Sequence, residues 1–174
     1  MLNENYVTIA RIVDCAGGEI VGRTRFQKIV YLLTATGLEN KFPFAYKHYG
    51  PYSEELALAA REAALLDFID EEEKIANWGG TYSVYKTRDQ DNNEIQDNDD
   101  LIKQFIGLAA KSNSIELELA ATAVFLSKEG ISDPWEETAR RKPDKADKNR
   151  LQMAKKLYAK FKEFSFPEPL PDIN

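Results

Sequence analysis

The sequence predicts a mainly helical protein of the α+β class, and two patterns carry this prediction. Apolar residues recur three and four positions apart through most of the 174 residues, which is the spacing of helices that bury one face. Residues 68–87 differ, because apolar and polar residues alternate around the turn segment 77–80, and this pattern predicts a β-hairpin. A chain of this length is typical of one domain, so residues 1–174 are expected to form a single domain.

The N-terminal half is predicted to contain three helices, over about residues 5–16, 24–36 and 53–66. Thr24 and Ser53 are the predicted N-caps of the second and third helices, because their hydroxyls can accept bonds from N–H groups that a helix leaves unpaired. Residues 44–49, FAYKHY, alternate between apolar and polar and predict a short strand. Gly50-Pro51 is expected to break the chain after it.

The C-terminal half is predicted to be a helical region over 99–164, with helices at about 99–111, 114–129, from Asp133 onward, and 145–164. Asn113 has the capping-box spacing for the second of these helices. That helix is apolar nearly all round, so it is expected to be central and to pack against the second helix of the N-terminal half. The segment 89–98 is predicted to be an acidic linker, and the proline-rich tail 165–174 is expected to run extended over the surface.

Charge is distributed in blocks, although the formal net charge is only −6. Residues 140–162 hold ten basic residues against two aspartates, whereas residues 54–73 hold eight acidic residues against one arginine. Such blocks create local fields that attract partners of opposite charge, and the alternative interpretation is that each block is only a solvated face. No stretch approaches the ~20 apolar residues of a membrane span, and the N-terminus lacks the basic region of a signal peptide. A cytoplasmic protein without membrane contact is therefore expected.

The order of elements over residues 1–88 is helix, helix, short strand, helix and hairpin, which predicts a winged-helix-like arrangement. In that arrangement the third helix would read DNA and would need Arg, Lys, Asn or Gln. The third helix here, SEELALAAREAALL, offers one arginine against three glutamates. Nucleic-acid binding depends largely on neutralising phosphates, so this helix favours a protein partner. A DNA-binding transcriptional regulator that uses basic residues elsewhere is the alternative.

Two segments, RFQKIVYLL and FAYKHYGPYSEEL, resemble the signature of Panacea-domain proteins, the SocA-like antitoxins, and of the related YwgA-like proteins. The matching positions are Phe26, Gln27, Lys28, Tyr31, Tyr46, Tyr49, Gly50 and Pro51. Panacea members usually carry a tryptophan near the start of the second segment, whereas this chain has YKHY there, which favours the YwgA-like branch. KPDK at 142–145 also resembles that branch. The resemblance implies binding rather than catalysis, by modules that neutralise toxins or deliver a partner protein.

The candidate partner-binding residues lie around the Gly-Pro step and are Tyr46, His48, Tyr49, Gly50, Pro51 and Tyr52. Tyrosine combines a large apolar ring with a polar hydroxyl, which suits binding surfaces. The alternative interpretation is that alternate tyrosines pack on the core and Gly-Pro only directs the chain into the third helix. Two basic clusters could hold nucleic acid or an acidic partner, and they consist of Arg23, Arg25, Lys28, Arg140, Arg141 and Lys142.

No pattern in the sequence points to an enzyme, a metal site or a cofactor. His48 is the only histidine and Cys15 the only cysteine, so neither a disulfide framework nor a CxxC or HxxxH metal site can form. A Cys15–His48 pair could in principle act as nucleophile and base, but Cys15 lies in an apolar helix and is expected to pack as a small hydrophobe. The expected partner is a protein, with a toxin encoded nearby as a candidate, and a homodimer is compatible with the sequence.

Overall fold

The computed structural model describes residues 4–88 and 100–174, so the predicted acidic linker lies outside the described residues. The first part contains α1 Glu4–Cys15, β1 Glu19–Val21, α2 Arg23–Ala35, β2 Ala45–Lys47, β3 Gly50–Tyr52, α3 Glu54–Leu65, β4 Ile69–Ile75 and β5 Thr81–Thr87. The second part contains α4 Asp100–Lys111, α5 Ser114–Lys128, α6 Pro134–Arg141 and α7 Lys148–Phe161. The α+β class is thereby confirmed.

Local capping accounts for where most of the helices begin. The Ser53 hydroxyl accepts a hydrogen bond from the backbone N–H of Leu56 at 3.2 Å, and the Asn113 side chain caps α5 in the same way. The prediction that Thr24 caps α2 is wrong. The helix begins one residue earlier, and Gly22, with φ 97°, occupies the N-cap position. A positive φ is open to glycine at little cost, so the chain can turn there directly from strand into helix.

The first sheet has three antiparallel strands in the order β1-β5-β4. The predicted hairpin is confirmed as β4 and β5, whereas no pattern in the sequence predicts β1. Ile20 pairs with Tyr85 and is buried, so the short strand closes one edge of the sheet. The sequence does not reveal β1, because three residues are too few to show the alternation of a strand and its partner β5 lies far along the chain.

The second sheet is a two-stranded ribbon, β2 and β3, which corrects two expectations. The strand predicted over 44–49 is only Ala45–Lys47, and the chain does not break at Gly50-Pro51 but turns back and pairs. Tyr46 lies opposite Pro51, and Lys47 lies opposite Gly50. Proline is compatible with a ribbon because both of its strands are edges and not every N–H is needed for pairing.

Buried apolar residues from both halves of the chain form one cluster that includes Phe26, Ile29, Phe105, Leu119 and Phe161. The expected contact between α2 and α5 is confirmed, and α5 also packs against α6, α7 and β3. The tail after α7 contains no helix or strand, yet it covers the core with two buried side chains, Phe166 and Leu170. None of the helices in the described ranges is long and apolar enough to cross a membrane.

Candidate binding surface

The β2–β3 ribbon is attached to α2 by two consecutive polar side chains. Gln27 donates from Nε2 to the Ser53 carbonyl oxygen at 2.9 Å and accepts from the Ser53 N–H at 2.9 Å. The Lys28 ammonium donates to the Pro51 carbonyl oxygen at 2.7 Å. Both side chains are buried, so each would be costly there without its partner. Gln27 and Lys28, from the segment RFQKIVYLL, therefore hold the backbone of the segment FAYKHYGPYSEEL in place.

Gly50 is the point of closest approach between the ribbon and α5. Its φ is +85°, and a Cβ built on it would lie 2.3 Å from Oγ1 of Thr122. Thr122 is itself held in place, because its hydroxyl donates to the Glu118 carbonyl oxygen at 2.8 Å. Both the backbone conformation and the available space therefore require glycine.

Charged side chains meet beneath the turn of the ribbon, in a group that we call the lysine–glutamate cluster: Lys28, Glu118, Lys142 and Lys145. Glu118 is buried on α5, and its carboxylate accepts from Lys142 at 2.7 Å and from Lys145 at 2.8 Å. Lys142 also donates to the His48 carbonyl oxygen at 3.2 Å. Lys142 thus joins the buried carboxylate of α5 to the backbone of the ribbon, although the three segments are far apart in sequence.

Burial changes the acidity of the lysines in this cluster. Desolvation lowers the pKa of Lys28 to about 7, and the Glu118 carboxylate opposes that shift only in part. Desolvation also lowers the pKa of Lys142, against the hydrogen bond to Glu118 that raises it. Three ammonium groups around one carboxylate give the cluster an excess of positive charge whenever all four groups are ionised.

The residues predicted to bind a partner divide into buried and exposed groups. Gly50 and Pro51 are buried, and Tyr46 is half-buried, with its ring 5.8 Å from that of Phe125 and 4.7 Å from the Arg141 guanidinium. Tyr52 is half-buried, with the Lys47 ammonium 5.9 Å from its ring. His48 and Tyr49 are exposed.

Tyr49 is 55% exposed, and the Lys145 ammonium lies 4.6 Å from its ring centre. His48 and Tyr49 thus occupy the turn between β2 and β3 and face solvent. Core packing therefore accounts for Tyr46, Gly50 and Pro51, whereas His48 and Tyr49 are available as a binding surface.

The predicted basic residues do not form a single patch. Arg25 donates to the carbonyl oxygens of Val21, Ala110 and Ser112, so it links β1 to the end of α4. Lys28 and Lys142 are inside the protein, in the cluster described above.

The remaining three arginines lie near the surface beside carboxylates. Arg140 and Arg141 both reach Glu137 at 2.6 Å, and together they hold the pKa of that half-buried carboxyl at about 2. Arg23 lies 3.3 Å from Glu71. Among the six candidates, only these three arginines therefore remain accessible to an acidic partner.

The outward face of α3 carries apolar residues that the sequence analysis did not single out. Leu58 is 50% exposed and Leu65 is 81% exposed, and they lie seven positions apart and hence on one side of the helix. Arg61 lies between them, and Glu54 and Glu55 begin the same helix. The spacing of seven is visible in the sequence, but the stronger alanine and leucine stripe of the buried face obscures it.

The features weighed for catalysis do not come together. Cys15 is buried in α1, whereas His48 is exposed on the ribbon turn. Across residues 4–88 and 100–174, no three histidine, cysteine, aspartate or glutamate side chains are grouped so that they could hold a metal ion.

Comparison with known proteins gives one informative match. The chain is 32% identical over 124 residues to a protein of Bacillus subtilis (strain 168) described as the uncharacterized protein YwgA. The matched region covers 67% of this chain and 70% of that relative. No protein-family model matches the chain, and no solved structure matches it.

Proposed function

The chain belongs to the YwgA family, and from that premise we propose that it is a non-enzymatic protein-binding module that neutralises or delivers a partner protein. The resemblance of its Gln-Lys and Tyr-Gly-Pro segments to Panacea-domain, SocA-like antitoxins supports this role. In this proposal the contact surface comprises the exposed ribbon turn, with His48 and Tyr49, and the outward face of α3.

We infer further that the N-terminal half has a winged-helix arrangement. The order of α1, β1, α2, α3 and the β4–β5 hairpin supports this inference, as does the sheet order β1-β5-β4. In such an arrangement α3 takes the position of the recognition helix and the β4–β5 hairpin takes that of the wing. The β2–β3 ribbon is then an insertion between the second and third helices.

The single observation that carries the proposal is the chemistry of the outward face of α3. Exposed Leu58 and Leu65 would gain free energy by being covered, roughly 25 cal/mol for each Å² of apolar surface removed from water. Glu54 and Glu55 at the start of the helix would repel a phosphate backbone. A helix with apolar anchors and an acidic end suits a protein surface that has apolar pockets and basic residues.

The ribbon supports the proposal because its conformation is already determined before any partner arrives. Gln27 and Lys28 hold its backbone from one side, and Lys142 holds the carbonyl of His48 from another. Binding then needs little ordering of this segment, and less entropy is lost. Tyr49 is thus presented as a rigid aromatic contact.

DNA binding remains the second candidate, because the proposed winged-helix arrangement is shared with many DNA-binding proteins. Arg61 on α3 and Arg23 at the start of α2 lie at the surface and could contact phosphates. Against this, the neighbouring strand β4 carries four consecutive acidic residues, 70–73. We therefore rank this function second.

The test is to co-express the chain with the products of neighbouring genes and to measure complex formation and rescue of growth. A Leu58→Asp/Leu65→Asp variant should weaken the complex at least about tenfold, because charged groups would replace apolar anchors. Met153→Asp, at a partly exposed apolar position on α7, is the matched control and should bind normally. DNA binding is measured in parallel by gel-shift assays at about 50 and 200 mM salt. Tight binding that weakens steeply at the higher salt concentration would favour the DNA-binding function.

A further inference from the structure

A small pocket opens between α2, α3, β3 and β5. Its volume is about 200 Å³, and its walls include Arg23, Phe26, Tyr52, Ala57, Arg61 and Tyr85. We call it the arginine–tyrosine pocket. Residues from four separate elements supply these walls, so the pocket is a product of the tertiary structure.

The charge of the pocket is positive. Arg23 forms an ion pair with Glu71 at 3.3 Å, and the same carboxylate oxygen also accepts a hydrogen bond from the Ser83 hydroxyl at 2.6 Å. Arg61 forms no ion pair among the residues that the structure describes. Glu71 balances the charge of Arg23, so the positive charge of the pocket comes from the Arg61 guanidinium. Such an arrangement favours an anion, and the planar guanidinium can bind a carboxylate or phosphate through two parallel bonds.

The remaining walls are aromatic. The rings of Phe26 and Tyr85 lie 5.0 Å apart and are almost wholly buried, so the half-buried ring of Tyr52 offers most of the aromatic surface. Burial raises the pKa of Tyr85 to about 12, and its phenol interacts with the Arg23 guanidinium. An aromatic face beside the Arg61 guanidinium suits a ligand that joins a flat ring to a negative group.

The size of the pocket limits the ligand. Sites for drug-sized molecules have volumes of roughly 300 to 1,000 Å³, so about 200 Å³ admits a molecule with a single ring. The Gln27 amide borders the space but is bonded to the Ser53 backbone on both sides, which keeps that wall in place. The pocket is therefore small and has a fixed wall.

We propose that the arginine–tyrosine pocket binds a small aromatic anion, a single ring that bears a carboxylate or a phosphate. The ring lies against Tyr52, and the anionic group meets the Arg61 guanidinium. This site does not depend on the protein-binding function proposed above, because its walls and charges are present in the isolated chain.

The test is a titration of the full chain, observed through its backbone amide NMR signals, with phenyl phosphate and with benzoate. Small ligands of about ten heavy atoms should bind with dissociation constants between about 10 μM and 1 mM. Saturable shifts should appear at the amides around Tyr52, Ala57, Arg61 and Tyr85. The stronger of the two probes identifies whether phosphate or carboxylate is preferred.

Two further probes separate the parts of the ligand. Phenol supplies the ring without the charge, and inorganic phosphate supplies the charge without the ring. Both should bind at least about tenfold more weakly than the aromatic anions, since each loses one of the two kinds of contact. If inorganic phosphate binds as tightly as phenyl phosphate, the site takes a bare anion and the proposal is overturned.

Arg61→Gln should weaken binding of the aromatic anions about tenfold or more, because a charge-assisted bond is lost. Arg150→Gln, an exposed arginine on α7, is the matched control and should bind as the parent does. Arg61 is exposed, so the variant is expected to fold, and a urea melt checks this. Absence of saturable shifts up to about 10 mM probe, or unchanged affinity in Arg61→Gln, would overturn the proposal.

Discussion

Lys28 and Pro51 are joined by a hydrogen bond of 2.7 Å between the lysine ammonium and the proline carbonyl oxygen, in a place that water does not reach. A buried ammonium is costly, and one hydrogen bond satisfies only one of its three donors. The charged groups that act on it are Glu118, which favours its ionised form, and Lys142 and Lys145, which oppose it. The link between helix and ribbon is therefore sensitive to protonation.

Stability should rise with pH on account of Lys28. Its pKa is about 7 in the folded chain, against 10.5 when exposed. Between these values the unfolded state binds more protons, so the free energy of unfolding increases as pH rises through that window. Relative to Lys28→Met, the parent should gain about 4 kcal/mol between pH 6 and 11. Urea melts of both proteins at several pH values measure this difference.

The control for the pH effect is Lys160→Met, which removes an exposed lysine on α7. Its stability relative to the parent should stay constant across the same pH range, because both proteins retain Lys28 and its contribution cancels in the comparison. A flat difference for Lys28→Met as well would show that Lys28 does not lose its proton early.

Glu118→Gln should be strongly destabilising. The substitution leaves Lys142 buried without its counter-charge at 2.7 Å, and breaking one half of a buried ion pair costs about 3–5 kcal/mol. Glu163→Gln, at an exposed position after α7, should change the free energy of unfolding by less than about 0.5 kcal/mol. Chemical denaturation compares the two. Equal, small effects would mean that the lysine–glutamate cluster is not needed to hold the ribbon.

Gly50→Ala should cost about 3 kcal/mol or more, because a positive φ and a steric clash act together. Gly130 has the same φ of +85°, but no atom lies within 4 Å of the position that an added Cβ would occupy. Gly130→Ala should therefore cost only about 1 kcal/mol. Thermal or urea melts give both values, and the difference between them reports the clash with Thr122.

A double-mutant cycle with Thr122→Ala isolates that clash. Removing Oγ1 takes away the atom 2.3 Å from the added Cβ. Gly50→Ala should therefore cost less in the Thr122→Ala background, by about 1 kcal/mol or more. Strictly additive effects would refute close packing between the ribbon and α5.

Tyr46→Ala and Tyr49→Ala should differ in their effect on stability. Tyr46 packs against Phe125 and lies under Arg141, so its truncation should cost about 2 kcal/mol. Tyr49 is mostly exposed, and its truncation should cost less than about 1 kcal/mol while weakening the complex with a protein partner. Urea melts alone separate the two residues. Similar losses in both variants would place Tyr49 in the core and remove it from the proposed surface.

Several features of this protein were determined by the sequence itself, because they depend on neighbours along the chain. Ser53, Asn113 and Asp133 each cap a helix within the next three residues, and these starts were predictable from residue type alone. The hairpin of β4 and β5 was likewise predictable, since the strands and their turn are contiguous.

Other features were decided only by the tertiary structure, because they join residues that the sequence keeps apart. β1 is a strand only because β5 lies beside it, and Gly50-Pro51 pairs only because α2 and α5 hold the ribbon in place. The sequence made Lys28 a candidate for contacts at the surface, and nothing in the neighbouring residues indicated that its ammonium would be buried. Burial, unlike helix capping, is set by which distant elements pack together, and that packing alone brought Lys28, Glu118 and Lys142 into one cluster.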